Sequence, residues 1–166
     1  MKLSLLTLFA AFVLCAGSLF AQAQTFVSSD FAMFGAADVS SSTTLPPSHT
    51  EQQQVQNNIK DIHFDFNRAD LRPEDQSTLQ SDAQWLKAHP DVFVTIEGDA
   101  DERGDIVYNV QLSDKRADVT KDALVSYGVS ADQIVYATGW GKLYPICSDS
   151  TESCWSENRR AHFSAW

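Results

Sequence analysis

The run Glu97-Gly98-Asp99-Ala100-Asp101-Glu102-Arg103-Gly104 is an acidic loop, and a further arginine, Arg116, follows on the next predicted helix. If that helix starts near Asp105, Asn109 and Arg116 stand seven residues apart. That is about two turns, so both share one face beside the loop. An anionic acceptor and a guanidinium fork then meet one small space. This combination suits a ligand with both an ammonium and a carboxylate, because an aspartate accepts from the first and an arginine grips the second bidentately. An Asp and an Arg at this spacing can equally form a structural ion pair, so spacing alone leaves both readings open.

The loop is held by the elements on either side of it. Val92-Phe93-Val94-Thr95-Ile96 reads as a β-branched strand entering it, and Gly98 and Gly104 are expected to let the backbone turn around Asp101. Upstream, Ile62-His63-Phe64-Asp65-Phe66 alternates as a strand, and Pro73-Glu74-Asp75 opens a helix. Leu79, Ala83 and Leu86 form the buried stripe of that helix, which stops at His89-Pro90. The helix after the loop carries Val119, Ala123 and Tyr127 on one face and ends with Gly128 as its cap. Ile134 to Gly139 and Ala161 to Trp166 read as the last two strands. The order βαβαββ predicts an α/β domain of the α+β kind, two helices packed on one mixed sheet. Trp85, Trp140 and Tyr144 are assigned to packing rather than to a sugar platform.

The 166 residues include 12 basic and 22 acidic side chains, a net charge of -10. Nucleic acid is a poor partner for such a chain, because phosphate binding needs a basic surface. Met1-Lys2 precedes an uncharged run from Leu3 to Gln24 that contains Ala21-Gln22-Ala23. A small-x-small pattern there predicts a cleavable signal over residues 1–23, with the mature chain starting at Gln24. The alternative is retention as a membrane span, since Leu3 to Phe20 is 18 residues long. Residues 24–58, with Pro46-Pro47 and Gln52-Gln53-Gln54, read as a flexible Ser/Thr/Gln-rich tether, and residues 59–166 as one domain. Export into an oxidising setting predicts a disulfide between Cys147 and Cys154. Their spacing is not C-x-x-C and His162 is the one nearby imidazole, which argues against zinc.

Several separated motifs resemble the OmpA-like peptidoglycan-binding domain, most closely its peptidoglycan-associated lipoprotein branch. They are Phe64-Asp65-Phe66, Thr95-Ile96-Glu97-Gly98, Ala100-Asp101-Glu102-Arg103-Gly104, Tyr108-Asn109, Arg116-Ala117, Gly128-Val129 and Asn158-Arg159-Arg160, in that order over residues 59–166. The resemblance implies binding to the diaminopimelate of the peptidoglycan stem peptide, with Asp101 on its ammonium and Arg116 on its carboxylate. Asn67, Asn109 and Arg159 would add polar contacts. Arg160 could join them or serve as a charged guard on a strand edge. The family usually has His where this chain has Asp99, and a carboxylate there is expected to alter the electrostatics around Asp101. Lipid-anchored relatives resemble one another in a small residue directly before the modified cysteine, whereas Cys15 follows Leu14. Plain cleavage is therefore expected over lipidation at Cys15.

Other chemistries fit less well. Asp99 to Gly104 begins like a calcium-binding loop, but Arg103 takes a ligand position and Val110 stands where the twelfth-place glutamate is needed. No nucleophile-elbow or zinc-protease motif occurs, so an enzyme is not expected, although Asp65 and Asp101 could in principle act as the acid/base pair of a cell-wall hydrolase. The expected role is non-covalent attachment to peptidoglycan from the periplasm, at the outer membrane if anchored, without a cofactor. Tol-system periplasmic proteins are the alternative partners that the resemblance implies. Asp101 and Arg116 are expected to set affinity while contributing little to folding.

Overall fold

The structure, a computed structural model, describes residues 46–166. The expected signal over 1–23, the Cys15 alternative and the tether up to residue 45 lie outside the described residues. In chain order the elements are α1 (His49–Asn58), β1 (Ile62–His63), α2 (Pro73–Ala88), β2 (Val94–Asp99), α3 (Ile106–Ser126), a 3-10 turn (Ala131–Gln133), β3 (Ile134–Gly141), α4 (Glu152–Asn158) and β4 (Arg160–Ala165). The four strands form one sheet in the order β1-β4-β2-β3. β2 runs parallel to β3 and antiparallel to β4, and β4 runs antiparallel to β1. A parallel neighbour needs a crossover connection, and α3 supplies it. Among the described residues no helix is long and apolar enough to cross a membrane.

The core lies where α2 and α3 meet the sheet. Leu79, Ala83 and Leu86 of α2 join Ala117 and Leu124 of α3, Val94 and Ile96 of β2, and Ala161 and Phe163 of β4. Val119, Ala123 and Tyr127 pack against this cluster as partly buried neighbours. α3 ends as its sequence predicts. Gly128 takes φ +92°, its N–H bonds to Val125 O at 2.9 Å, and Val129 N–H bonds to Leu124 O at 3.1 Å. This pair of bonds caps the last free carbonyls, while Leu124 and Val129 are both buried beneath it.

Two glycines set how closely α3 approaches the sheet. A Cβ on Gly98 would lie 2.0 Å from Ser113 O, and one on Gly139 would lie 2.2 Å from Asp114 N. These residues face each other across β2 and β3, so the pair opens a shallow slot into which α3 settles. Gly98 therefore serves by its lack of volume. It lies within β2 and is absent from the positive-φ glycines, so the turn expected there is made after Asp99, with Gly104 at φ +95°.

The architecture departs from the expected βαβαββ pattern in its helices. Residues 49–58, read as tether, form α1, with Ser48 and Glu51 making a reciprocal capping box and Val55 fully buried against the core. Among its residues Val55 alone is buried, so α1 has no apolar stripe for a periodicity argument to find. α4 is the second addition, inside the segment read as a disulfide loop. Thr151 caps it, accepting from Cys154 N at 3.4 Å. The described residues thus hold four α-helices, of which α2 and α3 are the two expected on the sheet. Strand edges also shift: β1 is limited to Ile62–His63, and β2 starts at Val94 because Val92 N–H closes a turn onto His89 O at 3.1 Å.

Candidate functional site

The acidic loop joins β2 to α3 and is pinned at several points. Asp105 caps α3 through Oδ1, which accepts from Val107 N at 2.8 Å. One turn on, Asn109 Nδ2 donates back to Arg103 O at 2.9 Å. Ala100 N–H reaches Gly141 O at 2.7 Å, and Lys142 Nζ donates to Gly104 O at 2.7 Å and to Glu102 O at 3.0 Å. The end of β3 thus holds both sides of the loop. Its conformation is fixed by backbone acceptors together with the carboxylates of Asp101 and Asp105, each of which accepts from a backbone N–H of the loop or of the helix start.

Arg116 is fully buried on the inner face of α3. Its Nη1 donates to Asp99 O at 2.7 Å, its Nε to Arg68 O at 2.9 Å and its Nη2 to Asp65 O at 3.2 Å. A guanidinium has five donors, so two remain, one on each terminal nitrogen. Donors on the two terminal nitrogens are of the kind that grips a carboxylate bidentately. Burial, followed by repulsion from Arg159, lowers the Arg116 pKa to about 10, which still leaves it charged at neutral pH. Three carbonyls from two segments, the turn after β1 and the end of β2, bond to this side chain. The expectation that Arg116 contributes little to folding is therefore corrected: removing it would take its donor from each of these carbonyls, with Asp65 O keeping only Arg68 N–H, and would open a cavity.

Asp101 is also buried, at 4% exposure, and sits among arginines. Oδ1 accepts from Arg103 N and Arg103 Nε, each at 3.1 Å, while Oδ2 accepts from Arg103 Nη2 at 2.6 Å and Arg159 Nη1 at 3.1 Å. Burial pushes its carboxyl upward, but the bonds from Arg103 and Arg159 outweigh this and hold the pKa below the usual carboxylate range. Arg159 spans the site. Its Nε donates to Phe64 O at 3.0 Å and its Nη2 to Glu152 Oε1 at 2.7 Å. Arg103 lies between two rings, 4.0 Å from the centroid of Phe66 and 4.0 Å from that of Trp155.

These groups surround a cleft of about 90 Å³. The structure brings Asn67, Asp101, Asn109, Arg116 and Arg159 together along its wall. Asn67 occupies the left-handed region at φ 59°, a conformation asparagine tolerates better than most residues, and its Oδ1 accepts from Tyr108 Oη. Arg160 is elsewhere: it pairs with Asp99 at 2.9 Å and Asp61 at 3.2 Å. Asp99 shares that fate, so its carboxylate faces Arg160 rather than Asp101, and the expected effect on Asp101 is corrected accordingly. Burial, partly offset by Arg160, raises the Asp99 pKa to about 6. The aspartates of the calcium-like run thus diverge. Of the aromatics assigned to packing, Trp85 stacks on His89 against the core, but Tyr144 is 61% exposed.

Sequence reasoning overlooked Phe66, Glu152 and Trp155, and gave Arg103 no role of its own. Phe66 and Arg103 stand within motifs that resemble the family, whereas Glu152 and Trp155 reach the site only because α4 forms. The disulfide supports that helix. Cys147 and Cys154 are bonded, with Cα atoms 5.3 Å apart, and Asn158 ties the same segment by accepting from Ile146 N and Cys147 N and donating to Cys147 O at 2.8 Å.

Known proteins resemble this chain in sequence and fold. The OmpA family model matches residues 63–159. A peptidoglycan-associated lipoprotein of Agrobacterium fabrum is 43% identical over 111 residues, covering 66% of this chain and 62% of that protein. The chain thus spans under two thirds of that relative's length. The crystal structure of the peptidoglycan-associated lipoprotein from Burkholderia pseudomallei superposes with a TM-score of 0.62 at 36% identity, over 64% of this chain and 90% of that one. The C-terminal domain of Helicobacter pylori MotB gives a TM-score of 0.61 at 18% identity, over 65% of this chain and 84% of that one, a likeness of fold alone. A family model matching more than half of the chain, across the strands and helices that frame the cleft, establishes that this chain belongs to the OmpA family.

Proposed function

We propose that this chain binds peptidoglycan non-covalently, receiving the side-chain end of a stem-peptide diaminopimelate in the cleft and so linking the cell envelope to the wall from the periplasmic side. The observation that carries this reading is that five polar residues from separate parts of the chain, Asn67, Asp101, Asn109, Arg116 and Arg159, line one cleft. Arg116 offers two unused donors to the ligand carboxylate, and Asp101 is the nearby anion for its ammonium. A bidentate grip on a buried guanidinium distinguishes a free carboxylate from an amide or a bare amine. The names of the relatives point the same way. Binding rather than catalysis is the activity proposed, with no cofactor, and an outer-membrane location would follow from an anchor.

The test is co-sedimentation with purified diaminopimelate-type sacculi, using lysine-type sacculi as the comparison. Retention on the first and release from the second supports the reading. Equal retention on both removes the role of the carboxylate.

A second reading, docking of a Tol-system protein on the same face, draws on the exposed apolar residues near the loop. Phe66, Tyr108, Leu143, Tyr144 and Ile146 are all exposed. If both occur, soluble partner and sacculi should compete.

A further inference from the structure

We infer that Arg103 is the specificity-determining residue of the cleft: its guanidinium occupies the cation position on Asp101, and a ligand ammonium binds there by exchange with it. This rests on the proposed reading of the cleft. A carboxylate has about four acceptor positions, and those of Asp101 already receive four N–H donors, three from Arg103 and one from Arg159. An ammonium cannot simply add to them.

Of the two arginines, Arg103 is the one that can move. Arg159 is 7% exposed in its side chain and tethered through Nε to Phe64 O and through Nη2 to Glu152, so its removal would undo three contacts, those to Asp101 and Phe64 O being buried. The Arg103 side chain is 30% exposed, and each side-chain hydrogen bond it makes goes to Asp101. A receiver is at hand. Glu152 Oε2 already lies 3.6 Å from Arg103 Nη1. Phe66 and Trp155 each lie 4.0 Å from the guanidinium carbon, and such ring contacts have no directional hydrogen bond to break, so a short shift from Asp101 toward Glu152 can be made against both rings.

Charge is conserved throughout the exchange. Asp101 keeps two cationic partners, Arg159 and the ligand ammonium, and Arg103 keeps an anion, Glu152. The exchange therefore leaves no charge buried and unpaired, the condition that makes such rearrangements costly. A neutral amide at the ligand's side-chain nitrogen cannot replace a guanidinium on a buried carboxylate. The occupied Asp101 thus rejects acylated ends, while the fork of Arg116 selects for the carboxylate.

The test uses the tripeptide L-alanyl-γ-D-glutamyl-meso-diaminopimelate and the same peptide acetylated on the side-chain amine. Both are titrated into the wild-type chain and Arg103→Gln by calorimetry, with 15N spectra of the arginine Nε–H groups recorded on the wild type. Exchange predicts that the wild type prefers the free amine, that Arg103→Gln tightens the free-amine peptide severalfold, and that the Arg103 Nε–H resonance shifts at saturation while that of Arg159 stays. The spectra do not depend on the variant folding. Equal wild-type affinity for both peptides, an unmoved Arg103 resonance at saturation, or equal weakening of both peptides by Arg103→Gln would overturn the exchange while leaving the cleft as the peptide site. Failure of the wild type to bind either peptide would overturn the exchange together with the reading it rests on.

Discussion

Arg159 Nη1 and Asp101 Oδ2 meet at 3.1 Å with both side chains buried, joining the segment after α4 to the loop after β2. A buried pair of this kind is worth little against a hydrophobic replacement but is costly to break from one side. Arg159→Met should therefore lower stability by about 3 kcal/mol, because Glu152 and Phe64 O lose their donor along with Asp101. Glu152→Gln, on a side chain 63% exposed, should cost under about 1 kcal/mol. Urea unfolding of both variants measures the difference, and equal costs would show that burial does not govern this network.

Gly98→Ala is a sharper probe of the slot for α3. The new methyl would meet backbone atoms of Ser113, which no rotamer change can move aside. A loss of about 3 kcal/mol or more is expected, the upper range for overpacking. Ligand binding should fall too, since α3 carries both Asn109 and Arg116. Gly104→Ala has more room, with its nearest neighbour at 3.6 Å, and should be limited to the strain of its φ of +95°.

The disulfide should matter to the cleft as well as to stability. Linking Cys147 and Cys154 closes a short ring, worth roughly 2.5 kcal/mol in the chain-entropy account. Cys147→Ser with Cys154→Ser should lower the melting temperature and loosen Trp155 and Glu152 relative to Arg103. Fluorescence of Trp155 and calorimetry would follow the two effects separately, and unchanged binding in the double variant would free α4 from any part in recognition.

Stability should rise as pH falls from about 8 toward 5. Burial raises Asp82 to about 7, with one hydrogen bond from Lys60 N at 3.4 Å offsetting it, and Asp99 stands at about 6. For a carboxyl raised in the folded state, the unfolded chain releases its proton first, so stability is lost as pH rises between the two values. His162, raised by its bond to Asp61, acts in the same direction, losing its contribution as pH rises through its folded value. His63, lowered by burial, opposes it below 6.5. Asp82→Asn should add about 2 kcal/mol at pH 8 and close to nothing near pH 4. Denaturation at the two pH values decides this, and an equal gain at both would assign the effect to packing.

The cleft gathers residues legible on two grounds: Asp101, Asn109 and Arg116 through their spacing, and Asn67 and Arg159 through the family resemblance alone. Asp101 follows β2, Asn109 and Arg116 share a helical face, and Arg159 precedes β4. What the patterns missed depends on contacts that have no period. α1 buries one side chain, so its polar surface reads as linker, while α4 is too short to repeat a stripe. The side to which Asp99 and Arg160 turn follows from strand alternation, and the register that pairs Gly98 with Ala161 puts both charges on the face away from α3. Arg116 was legible as a residue beside the acidic loop but not as a support for three carbonyls, since Asp65 and Arg68 approach it only in the folded chain.

The central claim is that Arg116 selects the diaminopimelate carboxylate. The most direct measurement is calorimetric titration of the full chain with stem tripeptides ending in meso-diaminopimelate or in lysine, repeated with Arg116→Lys after its folding has been verified by circular dichroism. Saturable binding of the diaminopimelate peptide, no measurable binding of the lysine peptide, and loss of the first in folded Arg116→Lys is the predicted result. Equal binding of the two peptides by the wild type, or full binding retained by Arg116→Lys, would contradict it.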